Sequence, residues 1–443
     1  MSDHVPRGSL WVLIAVDLLA RISYGLARTP LLPLYAAFLG AGPEMIGFVG
    51  AAGTITGVIL KLPSGAISDV VGRRPLLLFG LFVFATGPVG YLLVAGEWGL
   101  VGVRFYHGLA TAIFGPVAMA TVAALAMQRR GEYLSYLSNS KIAGALLGAF
   151  LGGLLLSLAM AGDGPFSWKH VGDLLEVKSF DPSAFTRGDF QAAYGACAVL
   201  GALALLLGLL ILRRVHEPYL ETRRTLTEVG LKLRSGVMEM LSDARVLLAS
   251  GSEAVQNLTV GILEHFLPVY AVFVAACTPF EAGMLYGGQI VTTILAKPAF
   301  GRWSDRKGRK RVILAGMVIC SLPFAAIPWV TGFWVLLALS LVFGLGEALV
   351  TSSSAALVGD LCRKQSLGAA MGLFGTIADG GHALGPILGG LLIGIFASGA
   401  SGGEVPALPY RVAFGIVAVI LFVYSVVFAS AMRAEGREPI AEG

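Results

Sequence analysis

The sequence predicts an all-α integral membrane protein of twelve transmembrane helices, arranged as two pseudo-symmetric six-helix bundles. Three observations predict it. Hydrophobic residues make up 56% of the 443 residues and charged ones 13%, against roughly a quarter charged in soluble domains. Apolar runs follow one another along the chain, each near the roughly 20 residues that a helix needs to cross a hydrocarbon core about 30 Å thick. Finally, GAISDVVGRR at 65–74 recurs as GRWSDRKGRK at 301–310. Both read GxxxDxxGR plus a basic residue, so the second half restates the first at an offset of 236 residues, 301 minus 65.

The twelve expected spans are 9–36, 45–66, 75–95, 99–127, 134–161, 191–212, 246–275, 282–300, 312–331, 333–361, 369–396 and 410–432. Continuous apolar runs without period-2 alternation exclude an outer-membrane barrel. The 59 glycines suit close helix contact in lipid, where small residues form the interfaces. The expected organisation is an N-terminal bundle over 1–212, a cytoplasmic linker over 213–245 and a C-terminal bundle over 246–443. Of the 32 basic residues, 22 fall in the termini and alternate loops holding Arg73, Arg129, Arg213, Arg306 and Arg363, while four lie in or beside the opposite loops: Lys169, Lys178, Arg187 and Arg411. The positive-inside rule then puts both termini and the linker in the cytoplasm, and the net charge of +5 implies no nucleic-acid partner. The opposite-side insertion 162–189, with Trp168, Phe180, Pro182 and Phe185, reads as a small cap. Cys197, Cys277, Cys320 and Cys362 lack metal-ligand spacing and read as packing residues. The first run is too long for a signal peptide and is expected to remain as helix 1.

Six basic side chains remain inside spans: Arg21, Arg28, Lys61, Arg104, Lys141 and Lys297. Asp17, Glu253, Glu264, Glu347 and Asp379 accompany them. Each would cost several kcal/mol facing lipid, so each should face a cavity or another charge. Span 1 places Asp17, Arg21, Gly25 and Arg28 on one helical face, and the offset maps them onto Glu253, Asn257, Gly261 and Glu264 of span 7. Asp17 and Arg21 suit either a self-satisfied ion pair or a carboxylate whose protonation releases the arginine. Arg28 and Glu264, opposite charges at matching positions, suit an outer gate or two solvated rim charges.

Lys61 and Lys297 map onto each other one turn before the motif glycines, where snorkelling to the interface explains them. Lys141, deeper in span 5, would join Arg21 and Arg104 in an anion-friendly cavity if it points inward. Glu347, alone in the apolar run LVFGLGEALV of span 10, is a proton-carrier candidate because the charged form is costly there. Asp379 and His382, three apart in span 11, can orient one another. A metal on Asp379, His382 and His265 would need scattered ligands, and no metal is expected. Tyr24, Tyr106, Lys141, Asn257, Tyr286 and Phe374 are candidate substrate contacts. No GxxxxGK[ST], HExxH or GxSxG occurs, so no ATPase, protease or esterase site is visible, and neither enzymatic activity nor a cofactor is expected.

The two motif copies, Gly65, Asp69, Gly72, Arg73, Arg74 and Gly301, Asp305, Gly308, Arg309, Lys310, resemble the signature loops of the major facilitator superfamily, and the resemblance spans essentially the whole chain. Within that family it is most like the 12-helix drug:proton antiporter branch. The resemblance implies that these loops cross the cytoplasmic helix ends and hold one access state. Arg104 and Gly108 match the family's RxxxG in helix 4, which implies proton coupling by Arg104. The antiporters' GPxxGG motif belongs to helix 5, whereas here helix 5 carries Ala149 in place of Pro, and Gly385, Pro386, Gly389 and Gly390 form the motif in helix 11.

The expectation is a secondary active transporter that moves a small organic molecule across the cytoplasmic (inner) membrane by alternating access through proton-coupled efflux. The alternatives are a proton symporter or facilitator for an organic anion, or, from another class, a transport-dead sensor of the same fold. The expected coupling group is Asp17, Arg21 and Arg104, with Glu253 or Glu347 as a second site and Asp379 and His382 as further candidates. The expected partners are substrate, protons and lipid, and the expected state is a monomer.

Overall fold

The computed structural model describes residues 7–125, 129–160, 181–212, 238, 243–362, 367–397 and 407–434. Most of the 213–245 linker and residues 162–180 of the insertion lie outside this set. Twelve long helices occupy the described residues: α1 Arg7–Leu26, α2 Pro43–Val71, α3 Arg73–Leu93, α4 Glu97–Leu125, α5 Arg130–Met160, α6 Arg187–Leu212, α7 Ala244–Phe273, α8 Pro279–Lys307, α9 Arg309–Ala326, α10 Phe333–Leu361, α11 Leu367–Ala397 and α12 Ala407–Ala434. A short helix, Leu31–Phe38, continues α1 beyond a turn. No described residue is in a strand.

Among the described residues, eleven spans are long and apolar enough to cross a membrane. α8 is equally long but too polar to meet that measure, since Gln289, Thr292, Thr293 and Lys297 interrupt its apolar run. Large side chains such as Leu93, Leu295, Trp98, Trp329 and Trp334 are exposed, as expected of a surface solvated by lipid and of tryptophans at helix ends near an interface. Seven of the helices carry an internal proline, for example Pro116 in α4 and Pro386 in α11. Membrane helices tolerate this because neighbours re-satisfy the freed carbonyls.

Reciprocal capping boxes start two helices. Thr278 N donates to Glu281 Oε2 at 2.7 Å and Glu281 N donates to Thr278 Oγ1 at 3.2 Å before α8; Thr186 and Asp189 repeat the arrangement before α6. The repeated motif is more helical than a loop reading suggests. Residues 65–71 are the last two turns of α2 and 301–307 those of α8. Only Gly72 and Gly308 separate these helices from α3 and α9, at φ of 100° and 91°, a region that side chains with a Cβ rarely adopt. Each glycine's N–H donates to a fully buried serine's carbonyl, Gly72 to Ser68 at 3.1 Å and Gly308 to Ser304 at 3.0 Å.

The chain divides into two compact units, 1–230 with 264–287, and 231–263 with 288–443, so the boundary falls inside α7 and α8. In the first unit α2 packs on α4, α1 on α5 and α6, and α3 on α4 and α6. Leu13, Val16, Leu81, Phe84, Phe114 and Val117 belong to its core. In the second, α9 packs on α10 and α12, and α11 on α12, with Phe324 stacked on Phe414 at 4.7 Å. Each unit contains the same close helix crossing. A Cβ on Gly108 of α4 would strike the backbone of Gly53 and the side chain of Thr56 on α2; a Cβ on Gly344 of α10 would strike the backbone of Gln289 and the side chain of Thr292 on α8. All three pairs, 53/289, 56/292 and 108/344, differ by 236, so the sequence repeat is also a repeat of contacts.

Candidate functional site

In the first unit Asp17 is fully buried on α1 and paired with Arg21 one turn later, at 2.8 Å from Nε to Oδ1. Ser140 of α5 donates a hydrogen bond to the same carboxylate. Glycine lets α5 come this close, since a Cβ on Gly144 would overlap Arg21. The side chain of Arg21 keeps 12% exposure and Asp17 none, so a change in the pair's partners would be felt by a carboxylate with no access to water. Further along α1, Arg28 is ion-paired with Glu264. Thr29 Oγ1 donates to Glu264 Oε1 at 3.0 Å. Arg28 and Glu264, opposite charges 236 positions apart, thus meet in the structure.

Arg104 is not part of the Asp17–Arg21 group. It is fully buried, with its guanidinium carbon 5.1 Å from the ring centroid of Tyr24. Tyr24 lies two turns along α1 from Asp17. Beside Arg104, His107 of the same helix is fully buried, edge-on to Tyr24 at 4.7 Å and to Tyr91 at 5.7 Å. Tyr106, a candidate substrate contact, is hydrogen-bonded to Thr86 at 2.6 Å between hydroxyls. Lys141 stands exposed on α5, and Lys61 is half-buried on α2.

The second unit holds its carboxylates differently. Glu253 on α7 is 7% exposed. It accepts from Ser354 Oγ at 2.6 Å and from Asn257 Nδ2 at 3.2 Å. Glu347 on α10 accepts from Gln289 Nε2 and Thr293 Oγ1 of α8, both at 3.0 Å. Lys297 lies within electrostatic reach of Glu253. Asp379 and His382 are half-buried on α11, where Gly261 of α7 packs against the His382 backbone. Tyr286 and Phe374 are both 8% exposed. No group of three or more His, Cys, Asp or Glu among the described residues could hold a metal ion.

At the second motif, Asp305 pairs with Arg309 at 2.5 Å, and Arg309 Nε reaches Asp360 at the end of α10 at 3.0 Å. Lys310 Nζ donates to the Met432 carbonyl of α12 at 3.0 Å. The motif therefore ties the α8–α9 corner to two other helices. At the first copy, Arg73 is half-buried and Arg74 exposed.

Several residues in these networks escaped the sequence reading. Ser68 and Ser304 are identical at the 236 offset inside the motif, a signal that was available. Ser140 and Ser354 meet their carboxylates across 123 and 101 residues, and no local spacing announces that. Gln289 was legible only as a polar break in span 8.

A family model described as Major Facilitator Superfamily matches residues 18–287 and 266–442. The chain is 23% identical over 367 residues to an uncharacterized MFS-type transporter of Methanocaldococcus jannaschii, covering 83% of this chain and 86% of that one. It is 24% identical over 364 residues to the multidrug resistance protein MdtH of Shigella dysenteriae, covering 82% and 80%. Among solved structures, a bacterial homolog of the human lysosomal transporter Spinster, inward-facing and occupied, superposes with a TM-score of 0.77 at 14% identity over 98% of both chains. The nucleoside transporter NupG superposes at 0.74 and 14%, over 96% and 99%. At these identities the structures speak for the fold. The duplicated helices, buried charges and family match together make this chain a member of the Major Facilitator Superfamily, a multi-pass membrane transporter rather than an enzyme.

Proposed function

We propose that the protein is a proton-coupled exporter of a small organic molecule, working by alternating access as a monomer in the cytoplasmic membrane with both termini inside. The buried Asp17–Arg21 pair carries this reading. Rocking or substrate that draws the arginine away would leave the carboxylate buried without its partner charge, and a proton taken up there would replace that charge. One group can then take a proton in one access state and release it in the other. The likeness to multidrug resistance proteins supports efflux as the direction. The motif corners, at which Arg309 binds Asp305 and Asp360, are proposed to latch one access state at the cytoplasmic side, and Arg28–Glu264 to close the other side. Glu253 and Glu347 are the second proton site. The two domains of transport are proposed as 1–212 and 246–443.

The test is flux in proteoliposomes under an imposed pH gradient. Asp17→Asn should abolish uphill transport while retaining exchange, whereas Arg21→Ala should lose both. Uphill transport by Asp17→Asn with an unchanged pH profile refutes the assignment and moves it to Glu347. The orientation has its own test: on a cysteine-free background, an impermeant thiol reagent added outside should label Ser183→Cys and miss Lys307→Cys, and the reverse pattern overturns it.

A second reading, transport of an organic anion, is favoured by one observation: Arg104 is buried without a bonded carboxylate.

A further inference from the structure

The first unit contains a cluster of buried polar groups that the coupling scheme does not use. All three guanidinium nitrogens of Arg104, both ring nitrogens of His107 and the Tyr194 hydroxyl are buried without a well-formed hydrogen bond among the described residues, and the Tyr91 hydroxyl faces the Arg104 guanidinium without completing one. The groups adjoin one another. Arg104 lies over Tyr24, His107 is edge-on to Tyr24 and Tyr91, and Tyr91 stacks on Tyr194 at 4.6 Å. Glu264, a carboxylate within electrostatic reach of Arg104, is already engaged by Arg28 and Thr29.

A guanidinium has five N–H donors and cannot shed its charge in a protein. Leaving it buried without a counterion is strongly unfavourable, and the cation–π contact with Tyr24 offsets only part of that cost. The balance is unfavourable unless something negative joins it. We infer that Arg104, His107 and Tyr91 form a binding site for a small monoanion, with carboxylate as the best chemical match. The planar fork of Arg104 matches two carboxylate oxygens, and the His107 N–H and Tyr91 O–H supply the remaining donors. The site is small: a methyl on Gly53 would meet the guanidinium, and one on Gly87 would meet the His107 ring. The candidate ligands are therefore limited to small groups: chloride, formate or the carboxylate end of a longer molecule.

The binding test needs no gradient, so its failure leaves the coupling proposal standing, and failure of coupling leaves this site standing. Purified full-length protein in detergent is titrated with sodium chloride, formate and benzoate against sodium sulfate of equal ionic strength, following the thermal unfolding midpoint. The expectation is a saturable rise of about 2 °C or more with at least one monoanion. In Arg104→Gln this rise should vanish; Arg104→Lys, which keeps the charge and loses the fork, should weaken the apparent affinity about tenfold. Gly53→Ala gives a third variant, with the guanidinium present but crowded, and should also bind more weakly. Saturation by chloride or formate alone assigns a resident small anion, as does benzoate binding without transport. Benzoate binding with Arg104-dependent flux in proteoliposomes assigns the head group of a substrate. No saturable effect beyond the sulfate reference, or full binding retained in the folded variants, overturns the inference.

Discussion

Where α4 crosses α2 the contact is built on Gly53 and Gly108, and the space beside it is filled by the arginine at 104; where α10 crosses α8 the equivalent of Gly53 is Gln289, which bonds the glutamate at 347. The close backbone approach is the same in both halves, and the buried charge is opposite. The same contrast holds for four carboxylates in the interior of the helices. In the first unit Asp17 and Glu264 are each matched by an arginine, whereas in the second Glu253 and Glu347 are hydrogen-bonded by serine, threonine and amide groups. Duplication thus preserved the part of the design that sterics fix, the glycine crossing, and left the polar side chains free to diverge.

The largest effects should come from the shared element. Gly108→Leu and Gly344→Leu each force a branched side chain into a backbone contact, a strain of about 3 kcal/mol or more. Both should abolish a monodisperse peak in fluorescence size-exclusion chromatography. Survival of one alone would show that the two crossings do not bear equal weight.

Arg21→Ala comes next, because it strands the fully buried Asp17. It should cost about 3–5 kcal/mol, read as loss of thermal stability in detergent, and Asp17→Asn placed on top of it should restore much of that loss. Without such rescue, Asp17 is not held by Arg21 in the way the geometry implies.

Gln289→Ala sharpens the contrast from the other side. Glu347 would keep only Thr293, at a cost of about 1–3 kcal/mol, and Glu347→Leu in the same background should recover part of it. An undiminished melting point in Gln289→Ala would mean that the amide contributes nothing to holding Glu347.

Much of this was legible in the chain. The motif repeat gave the offset, and the offset alone pairs Arg28 with Glu264, Gly108 with Gly344 and Ser68 with Ser304. The placement of Arg104 was not legible. Both Asp17 and Tyr24 lie on α1, and which one meets an arginine from α4 depends on the height at which the helices cross, a packing property that composition and spacing do not encode. The motif reads as a loop because glycine and charge usually break helices, yet its glycines at 65 and 301 lie in helix and only those at 72 and 308 break it. Polar residues facing the interior of a bundle need no sequence period, which is why the hydroxyl donors to Glu253 and Glu347 went unread.

The smallest effect on stability should come from the motif's charges. In Arg309→Ala the lost partners Asp305 and Asp360 both have side chains 58% exposed, so stability should fall by about 1 kcal/mol or less. Transport should nonetheless slow, and Asp69→Asn in the first copy should do the same at equal expression. Wild-type flux in both would reduce the motif to a topology signal.

The connectors at Gly72 and Gly308 are each a single residue long, with a helix of 29 residues on one side and a helix of 18 or more on the other. Such a joint has no slack. A tilt of α2 or α8 cannot be absorbed by an intervening loop; it reaches α3 or α9 through two torsion angles, as in a bell crank whose pivot is one glycine. Adding residues at either joint would let one arm swing without the other, and a substitution there would stiffen or break the pivot while touching no substrate.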